Sequence, residues 1–204
     1  MKKVLLVLLV LILGIGGYYW YQFGKAGKGG DDSKQQPLVL RKHSDLFNQS
    51  VATVMGSYFT MKEAFVDADT AKAKEACRRL IQLLDTIPML ELKGDTLNIY
   101  DAALSFQSSI RANAQSLLIQ TDITEMRKDF GMVSENLNPF LRTINYEGEK
   151  IYWQFCPMAF GEDKGANWLS KTQEVINPYL GKNHPKYKAD MLNCGEVKDS
   201  IMAK

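Results

Sequence analysis

The 204-residue chain is 46% hydrophobic and 24% charged, the balance of a folded globular protein and not of a disordered one. Its 25 Lys and Arg stand against 23 Asp and Glu, and Lys2 and Lys3 account for the whole net charge of +2. The rest of the chain is neutral and lacks the basic field that a phosphate backbone requires, so no nucleic acid partner is expected.

In chain order, Lys2 and Lys3 precede an uncharged run from Val4 to Phe23, about the length that crosses a bilayer. The positive flank favours a cytoplasmic start and sends the remainder across. Tyr18, Tyr19, Trp20 and Tyr21 suit the outer interface. These bulky residues occupy the place where a cleaved leader carries small ones, and no cysteine follows for lipid attachment. Residues 1–23 are therefore read as an uncleaved transmembrane signal-anchor, with a leader ending near Gly16 or Gly17 as the alternative. The expected location is the inner membrane, single-pass, with the ectodomain in the periplasm. Residues 24–40 are rich in Gly, Lys, Asp and Gln and read as a flexible linker. Residues 41–204 form the ectodomain.

Four helical patterns open the ectodomain. The first starts at Ser44 and Asp45, with Phe47, Val51, Val54, Tyr58 and Phe65 on one stripe. The second begins near Asp69 and places Ala73, Cys77, Leu80, Leu84 and Ile87 on one face, with Pro88 as its stop. The third follows Gly94-Asp95 and carries Tyr100, Ala103, Phe106, Ile110, Ala114 and Leu117. The fourth opens with Asp122 and Glu125 at capping-box spacing. Its stripe runs Ile123, Met126, Phe130, Val133, Leu137, Leu141, Ile144, and Pro139 is expected to kink it. Short connections make antiparallel neighbours, which leads to an up-down four-helix bundle. The expected fold class is mainly α: this bundle, a small irregular α/β C-terminal tail, and one preceding transmembrane helix.

Past Gly148 the pattern changes. Glu149 to Cys156 alternates as a short strand, with Ile151, Trp153 and Phe155 on one face. The stretch from 157 to 204 reads as irregular and rich in turn formers. It carries two of the three cysteines. A bundle does not need such a tail for stability, so function is expected there.

Cys156 and Met158 in one turn, and Met191 and Cys194 in another, supply thiolate and thioether, the soft donors that select Cu(I) over Zn, Mg or Ca. Pro157 and Gly195 allow both turns to bend around one ion, and His184 is a possible accessory ligand. The competing reading is a Cys156–Cys194 disulfide, usual in an oxidising compartment. It would close a loop worth on the order of 3–4 kcal/mol, with Met158 and Met191 as packing residues. Both readings stand on these residues. Cys77, on an apolar stripe, is expected to be an inert core thiol, and His43 to face water. Trp153, Trp168 and Tyr179 are expected to pack the tail onto the bundle. The chain has no Gly-x-Ser-x-Gly elbow, no His-Glu-x-x-His and no phosphate loop, and it is read as non-enzymatic.

Four strings in the tail, in order, carry a resemblance. They are Tyr152-Trp153-Gln154-Phe155-Cys156-Pro157-Met158-Ala159, Gly165-Ala166-Asn167-Trp168-Leu169-Ser170, Asn177-Pro178-Tyr179-Leu180-Gly181, and Met191-Leu192-Asn193-Cys194-Gly195-Glu196-Val197. With the helix of Arg127, Phe130 and Ser134, they resemble domain of unknown function family 3347, over roughly residues 44–197. Lys182 to Asp190, which include His184, depart from the family's pattern. The resemblance implies an envelope domain, found alone or fused to the adaptor subunits of heavy-metal efflux pumps, and so copper or silver handling. The expected function is a membrane-anchored periplasmic non-catalytic module binding a soft metal ion in association with heavy-metal efflux. Its partners would be the membrane and an efflux-pump or other envelope protein. The alternative is a disulfide-stapled interaction or scaffold domain without metal.

Overall fold

A computed structural model of the chain describes Tyr18, Tyr21 and residues 42–94 and 98–202. The chain divides into two units, Met1–Val39 and Leu40–Lys204. In the first, Tyr18 and Tyr21 are helical and exposed. The rest of the expected anchor over 1–23, and all of the linker over 24–40 with it, lie outside the described residues. Among the described residues no helix is long and apolar enough to cross a membrane.

The second unit is mainly helical. Helix α1 spans Asp45–Val66 and starts where Ser44 Oγ accepts the Phe47 N–H at 3.1 Å. The whole expected stripe from Phe47 to Phe65 is buried. Helix α2, Thr70–Leu84, is capped by Asp69, which accepts from Lys72 N at 2.9 Å. It ends before Pro88, so Ile87 is buried outside the helix. A 3-10 helix that the periodicity does not reveal follows at Met89–Gly94. Its Glu91 carboxylate takes the Ser44 main-chain N–H at 2.8 Å and the Ser44 hydroxyl at 2.6 Å, locking the start of α1.

Helix α3, Ile99–Ile119, buries Ala103, Ile110, Ala114 and Leu117, while Tyr100 and Phe106 are half-buried. Helix α4, Ile123–Thr143, begins at Asp122, whose carboxylate accepts from Thr124 N and Glu125 N. Half of the expected box forms. The Glu125 carboxylate turns outward to Lys128 Nζ at 2.6 Å. Pro139 lies inside α4, which continues to Thr143. The helices pack in sequence order, and the first meets the fourth through Tyr58 on Ser134 and Phe65 on Phe130. The connection 85–98 is longer than the short loops expected throughout, because it houses the 3-10 helix.

The tail is more regular than expected. Strands β1 (Ile151–Cys156), β2 (Ala166–Ser170) and β3 (Glu196–Ile201) form an antiparallel sheet in the order β2-β1-β3. The expected face of β1 is corrected by its burial, and its pairing with β3 is irregular between Trp153 and Gln154. The extra residue there, Lys198, belongs to β3. Ile151, Gln154 and Cys156 are buried, and Trp153 and Phe155 are only half-buried. His43 is likewise not a water-facing residue: it stacks on Phe47 at 4.3 Å and its Nε2 contacts the Ile144 carbonyl.

Candidate functional site

The sheet ends where the two cysteines meet. Cys156 closes β1 opposite Ala166 and is fully buried. Cys194 comes just before β3, half-buried, in a turn where its N–H donates to Met191 O at 3.0 Å. The two Sγ atoms are 3.1 Å apart. Gly195 makes this approach possible. It sits at φ +138°, and a Cβ there would lie 2.6 Å from Phe155 O and 3.0 Å from the Trp168 ring. Only a residue without a side chain lets this strand entry lie against the end of β1. Burial, reinforced by the Cys156 sulfur beside it, pushes the Cys194 thiol up to about 11, so it is protonated at neutral pH.

The expected methionine ligands are placed less closely. Met158, in the turn after β1, and Met191 both pack half-buried against the core. Met158 stands in the wall of a cavity with Arg127 and His184; Met191 is not part of that wall. Among the described residues, no three His, Cys, Asp or Glu side chains gather to hold a metal ion. Cys77 is fully buried and donates to Ala114 O at 3.2 Å, and burial pushes its thiol up to about 12.

A buried asparagine ties the two later motifs together. Asn177 Oδ1 accepts from Tyr179 N at 2.8 Å and Leu180 N at 3.0 Å, the side-chain turn that Asn before Pro favours. Its Nδ2 donates to Cys194 O at 2.7 Å, and its main-chain N–H to Leu192 O at 2.8 Å. Gln154, fully buried on β1, donates its amide to the carbonyls of Thr172, Gln173 and Glu174, pinning the loop after β2.

The same segment plugs into the bundle. Trp168 and Tyr179 are almost fully buried, edge to face at 5.8 Å, and Tyr179 reaches Phe130 at 5.9 Å. The Tyr179 hydroxyl donates to the Asn167 carbonyl. Tyr58 OH accepts from Leu169 N at 3.0 Å and meets Ser134 Oγ at 2.7 Å, joining α1, α4 and β2. Gly181, at φ +61°, lies against the end of α1, where a Cβ would be 2.7 Å from Val66 O. Lys182 N–H then donates to that carbonyl at 2.9 Å. Trp168 and Tyr179 thus pack the tail onto the bundle as expected, with Trp153 on the margin.

Arg127 was not singled out for its chemistry by its sequence position. It is 5% exposed, on the first turns of α4, and its Nη2 donates to Phe65 O at 2.8 Å. Its Nε has no partner. Beside it, His184 is half-buried rather than free in a loop. Its Nδ1 accepts from Lys186 N and Tyr187 N, each at 3.2 Å, and its ring stacks on Tyr187 at 4.9 Å.

Neither a curated protein nor a solved structure matches the chain. One family model, described as "Protein of unknown function (DUF3347)", matches residues 54–148. That span takes in most of α1, all of α2 to α4 and the residues Arg127, Phe130 and Ser134, and it ends before the four tail strings. The family matched over residues 54–148 is the one that the sequence resembles.

Proposed function

We propose that the chain is a non-catalytic module of the cell envelope, tethered to the inner membrane by its N-terminal segment, whose folded tail is a binding surface stapled by a Cys156–Cys194 disulfide. The observation that carries this reading is the 3.1 Å approach of the two sulfurs, 38 residues apart in sequence. A disulfide bond is about 2.05 Å long, so side-chain rotation closes a gap of only about 1 Å. Oxidation removes two protons and two electrons to an envelope oxidant. Closing a loop of this size stabilises the fold by about 4 kcal/mol in the loop-entropy model. Burial and the neighbouring Cys156 sulfur keep the Cys194 thiol protonated, which argues against a reactive thiolate.

The partial exposure of Cys194 favours a second reading. In the reduced protein the dithiol has a path to solvent, and two sulfurs suit one Cu(I) or Ag(I) ion, with Met158 and Met191 in the adjoining turns. Binding would release the thiol protons, and such a module would serve a heavy-metal efflux system.

Thiol counting on the full chain, purified from membranes without reductant and then denatured, tests the first reading. The chain has three cysteines. One titratable thiol without reductant and three with it is the expected result. Three in both conditions overturns the staple. One Cu(I) bound by the anaerobically reduced chain, and lost in the Met158→Leu/Met191→Leu double variant, would establish the second reading instead.

A further inference from the structure

Arg127 is a buried cation whose surroundings do not complete it. Its guanidinium has five N–H donors. Its one hydrogen bond among the described residues uses Nη2, on the last turn of α1. Such a contact fits a cation at a helix C-terminus and explains the direction of the side chain. The carboxylate of Asp122, at the start of the same helix, favours the charge from a distance, but no carboxylate among the described residues forms an ion pair with Arg127, and its Nε is buried with no acceptor.

The guanidinium borders an open cavity of about 320 Å³. The cavity lies between the first turns of α4, the turn after β1, and the segment from Tyr179 to Tyr187. His184 and Lys186 are the other ionisable groups in its wall that carry or accept a positive charge, and no Asp or Glu lines it. His184 accepts two backbone N–H groups on Nδ1, which leaves Nε2 as a proton donor. Burial first, then Arg127 and Lys186, holds His184 below its usual value, so it donates as a neutral ring. The other walls include Ile123, Met158, Phe160, Leu180 and Tyr187. One end therefore offers donors and positive charge with no acid in the wall itself, and much of the rest is apolar.

We propose that this cavity binds a small organic carboxylate with a short apolar body. The carboxylate meets Arg127, the pairing for which the guanidinium fork is shaped. His184 Nε2 and Lys186 Nζ add donors at the rim. The apolar body lies against Phe160, Leu180 and Met158. The size is at the small end of ligand cavities, which suits a single ring or short chain. Inorganic phosphate satisfies the charge and leaves the apolar walls uncovered, so the amphiphilic acid is the better fit. This inference is independent of the state of the Cys156–Cys194 pair.

The test is titration of the full chain in detergent with phenylacetate, with its neutral amide phenylacetamide, and with inorganic phosphate, read by NMR shifts of the Tyr179 and Leu180 amides. The expected result is saturable 1:1 binding of phenylacetate, with the amide weaker by at least about tenfold, the loss of one charge-assisted hydrogen bond. Arg127→Met abolishes binding. Because that variant also loses the contact with Phe65 and can fail to fold, Lys186→Glu at the rim is the second probe. It keeps the fold and weakens phenylacetate several-fold. The proposal is overturned if the amide binds as tightly as the acid or phosphate binds more tightly than phenylacetate. It is equally overturned if folded Lys186→Glu binds like the parent, or if no saturable shift is seen.

Discussion

Replacing Asn177 with Ala should cost far more than the loss of a small polar side chain suggests. Asn177 is fully buried, and its side chain makes three hydrogen bonds: to Tyr179 N, Leu180 N and Cys194 O. The substitution leaves two buried N–H groups and one part-buried carbonyl without those partners. A buried polar group that loses its partner costs about 1–3 kcal/mol. Three such groups, with some relief from water entering the vacated space, put the expected loss at about 3–5 kcal/mol. The assay is urea unfolding under reducing conditions, so that the cysteine pair contributes nothing. With a slope of about 2 kcal/mol/M, the midpoint should fall by roughly 1.5–2.5 M at unchanged slope. A loss under about 1 kcal/mol would refute the argument, because it would mean that the Asn-Pro-Tyr-Leu-Gly segment and the Cys194 turn are held together by something other than this amide.

Two further outcomes follow from the same region and from the bundle. Gly195→Ala forces a Cβ to within 2.6 Å of Phe155 O at a φ of +138°, and should destabilise the reduced protein by about 2 kcal/mol or more and slow disulfide closure; unfolding within about 0.5 kcal/mol of the parent would disprove the close approach. Cys77, fully buried with its thiol pushed up to about 12, should resist iodoacetamide in the folded reduced protein at pH 8 while half-buried Cys194 is labelled, and equal labelling rates would show that α2 opens far more readily than its packing implies.

The helices were legible because their cues are local. Ser44, Asp69 and Asp122 each announce a helix start, and each caps one. Phe47 to Phe65 and Met126 to Leu141 repeat at helical spacing and are buried. The tail was less legible because its order is set by partners far along the chain. Trp168, Leu169 and Ser170 are all buried, so β2 shows no alternation to read. The buried face of β1 takes in Gln154 and Cys156, and a polar Gln gives no hydrophobic alternation to read. The convergence of Cys156 and Cys194 was legible, since turn formers flank both. Asn177 and Gln154 were quoted within motifs, yet their bonds to Cys194 and to the 172–174 carbonyls need three dimensions. Arg127 adjoins the buried stripe position Met126, and a sequence does not say which arginine on a helix has no acid within ion-pair distance.

The sheet order β2-β1-β3 leaves two strand edges, and they are treated differently. β2 is packed against α4. Among the described residues no strand pairs with the outer edge of β3, a place where the strand of another chain can add. Charge guards it: Glu196, Lys198 and Asp199 are exposed, Lys198 is paired with Glu196 at 2.5 Å, and Asp199 is held by Arg142 of α4 at 2.6 Å. A second strand laid along β3 would have to displace those ion pairs and dehydrate the charges to gain a few backbone hydrogen bonds. Wherever copies of this chain come close together, that barrier keeps the tail of one from pairing with the tail of the next through this edge.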